Sequence, residues 1–96
     1  MRPLNVMSIS DLIDQVSQIC KRNGVQRLDL FGSFATGTAT PTSDIDFVVY
    51  GCKDILHLED ELADIDTLRK IDIFEYESIK NKFLKEDIEK YGKQIY

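Results

Sequence analysis

Two apolar runs bracket the segment from Gly32 to Asp46, and they constrain what this part of the chain can become. Val25 to Phe31 reads as a strand, with Leu28 and Leu30 on one face and Gln26 breaking its start. Gly32-Ser33 follows at once. Ten residues separate that pair from Asp44-Ile45-Asp46, which opens the second run, Asp44 to Tyr50. This is the best strand in the chain, ended by Gly51. Gly32 to Thr36 is too short for a full element and suits a tight turn into a single helical turn, closed by Gly37. Thr38 to Ser43 is a loop punctuated by Pro41. The first half of the segment can hold phosphates and the second can hold metal ions.

The flanking sequence supplies the rest of an α/β chain. Ser8 and Ser10 are both N-cap candidates for a helix over about Asp11 to Arg22. There Leu12, Ile13, Val16, Ile19 and Cys20 recur at helical spacing, and Asn23-Gly24 stops the pattern. Ile55, Leu56, Leu58, Leu62, Ile65 and Leu68 support a second helix, and Ile71 to Phe74 a short third strand. Ile79, Phe83, Leu84, Ile88 and Tyr91 support one or two closing helices up to Gly92. The order helix, strand, turn, strand, helix, strand, helix predicts one domain over residues 1–96, a short mixed sheet flanked by helices.

Composition narrows the function classes. Twelve basic residues against 17 acidic ones leave a net charge of −5, which argues against direct nucleic-acid binding. It does not oppose a small polyanion held through metal ions. No apolar stretch approaches the roughly 20 residues that span a bilayer, and the N-terminus has no apolar core of a secretory signal. Cys20 and Cys52 read as reduced thiols of a cytoplasmic protein. One histidine and two cysteines do not make a tetrahedral zinc site.

Residues i and i+2 of a strand point to the same face, so Asp44 and Asp46 project their carboxylates side by side. Two such charges repel, and a divalent cation between them removes the problem. Magnesium is commonly held by one or two carboxylates plus substrate phosphates. The plainer alternative is a strand mouth where both acids are hydrated or cap nearby amides. At Gly32 the backbone can approach a ligand closely. A turn into a helical N-terminus presents free N–H groups to an anion, and the Ser33 hydroxyl can donate one more hydrogen bond. Asp72, between Ile71 and Ile73, is the candidate third acid. It is either the outward residue of an alternating strand or, if the third strand pairs next to the second, a neighbour of Asp44 and Asp46. In the latter case one metal would orient an attacking hydroxyl and another would hold a triphosphate and its leaving pyrophosphate. Asp72 would then help deprotonate the hydroxyl.

Gly-Ser, ten residues, Asp-x-Asp and a later Asp together resemble the nucleotidyltransferase fold of the DNA polymerase beta superfamily. More narrowly, the pattern resembles the minimal nucleotidyltransferases, antitoxin-type partners of HEPN-domain ribonuclease toxins. The resemblance covers nearly the whole chain, and the tail from Leu84 to Tyr96 is similar to the ending of many such domains. It implies Gly32 and Ser33 as triphosphate contacts, Asp44, Asp46 and Asp72 as Mg2+ ligands of a two-ion site, and ATP as donor. It also implies a type VII-like antitoxin in a hetero-oligomeric complex, transferring AMP to a hydroxyl of the HEPN toxin, with tyrosine favoured. Two alternatives stand beside it: transfer to a small molecule, whose enzymes usually carry an additional acceptor domain, and a binding antitoxin without turnover. Many relatives carry arginines after Gly-Ser, whereas this chain has Phe34 and Thr36 there. The nearest cationic candidates are Lys53, Arg69 and Lys70.

Other polar features have plainer readings. His57 reads as a surface or packing residue. Glu59, Asp60, Glu61, Asp64 and Asp66 read as a solvated helix face, with a docking patch for a basic partner as the sharper alternative. Lys80, Lys82 and Lys85 alternate with acids as on exposed helices, and Tyr91 and Tyr96 read as packing residues.

Overall fold

The computed structural model describes residues 7–96. Helix α1 spans Ile9–Arg22, with the Ser8 side chain accepting from the Asp11 amide at 3.0 Å. Ser8 is therefore the cap, and Ser10 lies inside the helix. Strand β1, Arg27–Phe31, starts two residues later than its apolar run. The four-residue helix α2, Ser33–Thr36, follows, closed by Gly37 in the left-handed conformation. Strand β2 is Ile45–Tyr50, which leaves Asp44 in the preceding loop.

Helix α3 covers Ile55–Ala63, capped by the Asp54 side chain. It ends well before Leu68, contrary to the helical spacing. Ile65 is still buried, but Leu68 is 92% exposed. The acids and threonine at 64, 66 and 67 favour backbone-bonded turns over another helical turn. Strand β3, Ile71–Glu75, leads into a 3-10 turn at Tyr76–Ser78, then helix α4 at Lys82–Tyr91. Ile79 precedes that helix. A two-residue strand, β4 at Lys93–Gln94, completes the chain; its shortness left no periodicity in the sequence.

The sheet order is β3-β2-β1-β4, with β2 antiparallel to β1 and parallel to β3. Both faces are covered. On one side Leu28, Leu30, Ile45, Phe47 and Val49 meet Leu12, Val16 and Cys20 of α1 and Leu58 and Leu62 of α3. Removing this apolar surface from water is the main stabilising term. Cys20 is fully buried, which pushes its thiol up to about 12, and both cysteines are free thiols.

The other face carries Val48, Asp29 and Ile88 of α4, all buried. Asp29 sits between Leu28 and Leu30, where alternation places it outward; α4 turns that outward side into an interior. Its carboxylate accepts from Arg27 Nε at 2.9 Å and Nη2 at 3.1 Å, and from the Tyr50 hydroxyl at 2.9 Å. Tyr50 in turn stacks on Tyr76, with ring centroids 4.6 Å apart. Such pairing is what a buried carboxylate requires. Tyr96 packs as expected, its hydroxyl donating to the Val25 carbonyl at 2.9 Å. Tyr91 does not: it is 48% exposed. His57 is exposed and pairs with Glu61 at 2.8 Å. Among the described residues no helix is long and apolar enough to cross a membrane.

A candidate nucleotide site at the mouth of the sheet

Parallel pairing sets the site. Strands β2 and β3 enter the sheet from the same end, in a register that puts Asp46 directly opposite Asp72. Both carboxylates share the face opposite the main core, because Ile45 and Phe47 on one strand and Ile71 and Ile73 on the other turn inward. Antiparallel pairing on the other side places Phe31 opposite Asp46. Gly32, the next residue, therefore reaches the same end of the sheet. Its φ is +71°, and the Asp46 carboxylate fills the space that a side chain there would need. Only glycine combines that conformation with that approach.

From Gly32 the chain turns into α2, whose Ala35 and Thr36 amides bond back to the Gly32 carbonyl at 3.0 and 3.1 Å. Ser33 is the first helical residue, half-buried beside Asp46's strand.

Like charge dominates the electrostatics. The Asp46 carboxyl is held above its ordinary value of 3.8, first by burial and then by the neighbouring Asp72, with Asp44 adding to the effect. Lys70 opposes it and stands 3.6 Å from Asp72. The three acids singled out in the sequence thus sense one another: Asp46 and Asp72 side by side, Asp44 exposed in the loop above. Among the described residues no three acidic, thiol or imidazole side chains converge as a ready-made metal cage.

The cationic candidates separate. Lys53 follows Gly51 at the far end of β2, remote from Asp46. Arg69 and Lys70 lead into β3 at the near end. Arg69 Nη1 donates to the Ser43 carbonyl, and the guanidinium lies over the Phe34 ring at 5.0 Å. It thereby ties α2 to the loop carrying Asp44. An open cleft of about 550 Å³ lies beside it, with Pro41, Asp44, Leu68, Arg69 and Lys70 among its walls.

A family profile described as "Polymerase beta, Nucleotidyltransferase" matches residues 14–96. The chain belongs to this nucleotidyltransferase family. Two relatives come from Methanocaldococcus jannaschii. "Putative protein adenylyltransferase MJ0435" is 30% identical over 92 residues, covering 86% of this chain and 98% of that protein. "Putative protein adenylyltransferase MJ0128" is 34% identical over 90 residues, covering 88% and 91%. Among solved structures, a chain of "Crystal structure of the toxin-antitoxin with AMP-PNP" superposes with a TM-score of 0.69 at 27% identity, covering 86% of this chain and 71% of that one.

As a nucleotidyltransferase, the chain has the small mixed-sheet α/β architecture anticipated from its residue pattern. Asp29 is a polar residue that the sequence pattern did not single out. The adjoining Arg27 and the later Tyr50 were the available signals, and neither shows a partnership until the sheet is assembled.

Proposed function

We propose that this nucleotidyltransferase moves AMP from ATP to a hydroxyl, with tyrosine favoured, on a cognate HEPN-domain toxin, and so acts as its antitoxin. The observation that carries this reading is the in-register pair Asp46 and Asp72, with Asp46 packed against Gly32 at the start of the α2 turn. The names of the two adenylyltransferase relatives and of the toxin-antitoxin neighbour support the acceptor and partner class.

Gly32 and Ser33 would receive the triphosphate, with backbone N–H groups of the turn and the Ser33 hydroxyl as donors. The donor set fits Mg2+: Asp46 and Asp72 offer hard oxygens, burial and then repulsion from Asp72 raise the Asp46 carboxyl, and Asp44 adds to that repulsion. With two carboxylates in place, phosphate oxygens and water complete the shell, so no protein-only cage is needed. When bound, Mg2+ would neutralise charge on the triphosphate.

The acceptor oxygen attacks the α-phosphorus, forming the new P–O bond. The bond from that phosphorus to the bridging oxygen breaks, and pyrophosphate departs with the electron pair. Asp72 takes the acceptor proton. Positioning and charge complementarity supply most of the barrier reduction. Arg69 holds Phe34 of α2 and Ser43 next to Asp44, and so keeps the phosphate turn and acidic loop in fixed relation.

One feature favours a second reading, a binding antitoxin without turnover: Phe34 and Thr36 put no cation on the α2 turn itself. Asp72→Asn separates the two. It retains size and loses charge, so toxin binding should persist. Mass spectrometry should find AMP on the toxin with the native chain and none with the variant, which should also fail to silence the toxin. Full silencing by the variant without modification would establish the binding antitoxin instead.

A further inference from the structure

Strand β3 forms one edge of the sheet. The Ile45 amide donates to the Lys70 carbonyl at 3.0 Å, which fixes the phase of the parallel ladder. Asp72 and Phe74 therefore turn their N–H and C=O groups toward β2, and Ile71, Ile73 and Glu75 turn theirs outward. Among the described residues nothing pairs with these outward groups. No proline interrupts the strand; its charged residues are Asp72 and Glu75, with Lys70 just before it.

Along the same edge runs a groove of about 330 Å³, lined by Leu62, Ile65, Ile71 and Ile73 together with the polar Glu59, Thr67 and Arg69. It belongs to the face on which α3 packs. The opposite face carries Asp46 and the Asp72 carboxylate. The edge strand thus divides a groove of mixed apolar and polar lining from a cluster of acids.

We propose that this edge receives the acceptor protein as an added strand, an extended segment with the sequence apolar–hydroxyl–apolar set against Ile71, Asp72 and Ile73. This rests on the reading that the acceptor is a protein hydroxyl. Side chains of an added strand alternate between faces. The two apolar residues opposite the isoleucines enter the groove, and the hydroxyl residue between them joins the face of Asp72. Directly opposite residues on neighbouring strands have Cβ atoms about 5 Å apart; a tyrosine hydroxyl, which stands farther out than the Asp72 carboxylate, meets it by leaning across the edge toward β2. Main-chain bonds to Ile71 and Ile73 give affinity, and the groove selects what flanks the hydroxyl, as in other strand-addition complexes. A second copy of this chain is a poorer occupant, because it brings a further net charge of −5 and further acids to an acidic edge.

The test follows amide exchange by NMR in the native chain, alone and with the HEPN-domain toxin, while mass spectrometry follows AMP on the toxin. Alone, Asp72 and Phe74 amides should exchange slowly and Ile73 and Glu75 amides fast. With toxin, Ile73 and Glu75 should slow by about tenfold or more. A complex in which they stay fast overturns edge docking, even where AMP appears on the toxin and the transfer reading stands. Protection without AMP supports edge docking and overturns the transfer reading. A toxin that neither binds nor gains AMP removes both. Protection by the chain alone, with a dimeric mass, assigns the edge to a second copy and overturns the proposal. Ile73→Pro deletes one outward amide. It should keep ATP binding within about twofold and lower kcat/KM for the toxin by about tenfold or more; native-like transfer by a folded variant overturns the proposal.

Discussion

A Cβ built on Gly32 lies 2.4 Å from Oδ2 of Asp46. Substitution at Gly32 therefore acts twice, through a positive φ and through displacement of a carboxylate. Gly32→Ala should lose about 1–2 kcal/mol from the backbone alone and weaken ATP binding by about tenfold or more as Asp46 moves. Gly37→Ala is the comparison. Gly37 has φ +78° with nothing within 4 Å of its added Cβ, so it should show only the backbone cost, with ATP affinity kept. Thermal melting and titration calorimetry on both variants measure the difference.

The acid pair should be visible as a pH effect. The folded chain raises the Asp46 carboxyl above 3.8 through burial and Asp72. A carboxyl raised on folding holds its proton more tightly in the folded state, so its contribution is full at low pH and is lost as pH rises through the folded value. Asp46→Asn should therefore raise the melting temperature at neutral pH in metal-free buffer. The gain should shrink toward zero below about pH 4, where the native carboxyl is protonated in both states. A gain independent of pH would contradict this account. AMP transfer should be abolished at every pH.

Arg69 makes two contacts that an ammonium reproduces poorly, a stack on Phe34 and a bond to the Ser43 carbonyl. Arg69→Lys should weaken ATP binding by roughly the amount seen in Arg69→Ala, because planar stacking is lost in both. The melting temperature should fall only slightly, since the residue lies at the margin of the core. Near-native affinity in the lysine variant would show that charge alone matters.

On the face under α4, Tyr50→Phe removes one of three donors to the buried Asp29 carboxylate. The expected loss is about 1–3 kcal/mol. Asp29→Ala should cost more, leaving Arg27 and Tyr50 without their acceptor. Denaturant unfolding with unchanged slope would assign both losses to the folded state.

The legible parts of this molecule were those with local chemistry. Gly32-Ser33, the α2 turn closed by Gly37, and Asp46 near the start of its strand follow from turn and strand rules over a few residues, whereas Asp44, read as sharing a strand face with Asp46, lies in the preceding loop. Asp72 was legible as a neighbour of Asp46 only on condition that the third strand pairs next to the second, a tertiary fact that the register supplies. The burial of Asp29 was not legible for a related reason: period two says which side a residue faces, never whether a helix will cover that side. Leu68 continued a helical spacing that Asp64, Asp66 and Thr67 had already ended. Strand β4 exists through its pairing with Asp29 and Leu30, and two residues carry no pattern of their own.

The isoleucines flanking Asp72 bear on how this protein avoids folding errors. Shifting β3 by one residue against β2 would turn Ile71 and Ile73 toward water and drive Asp72 into the apolar layer beneath α3. Such a slip forfeits two buried side chains and strands a carboxylate, so misaligned sheets cannot accumulate. The same alternation that gives the acids their alignment thus rejects the neighbouring alignments. Whenever the sheet closes in this register, the two carboxylates stand opposite one another.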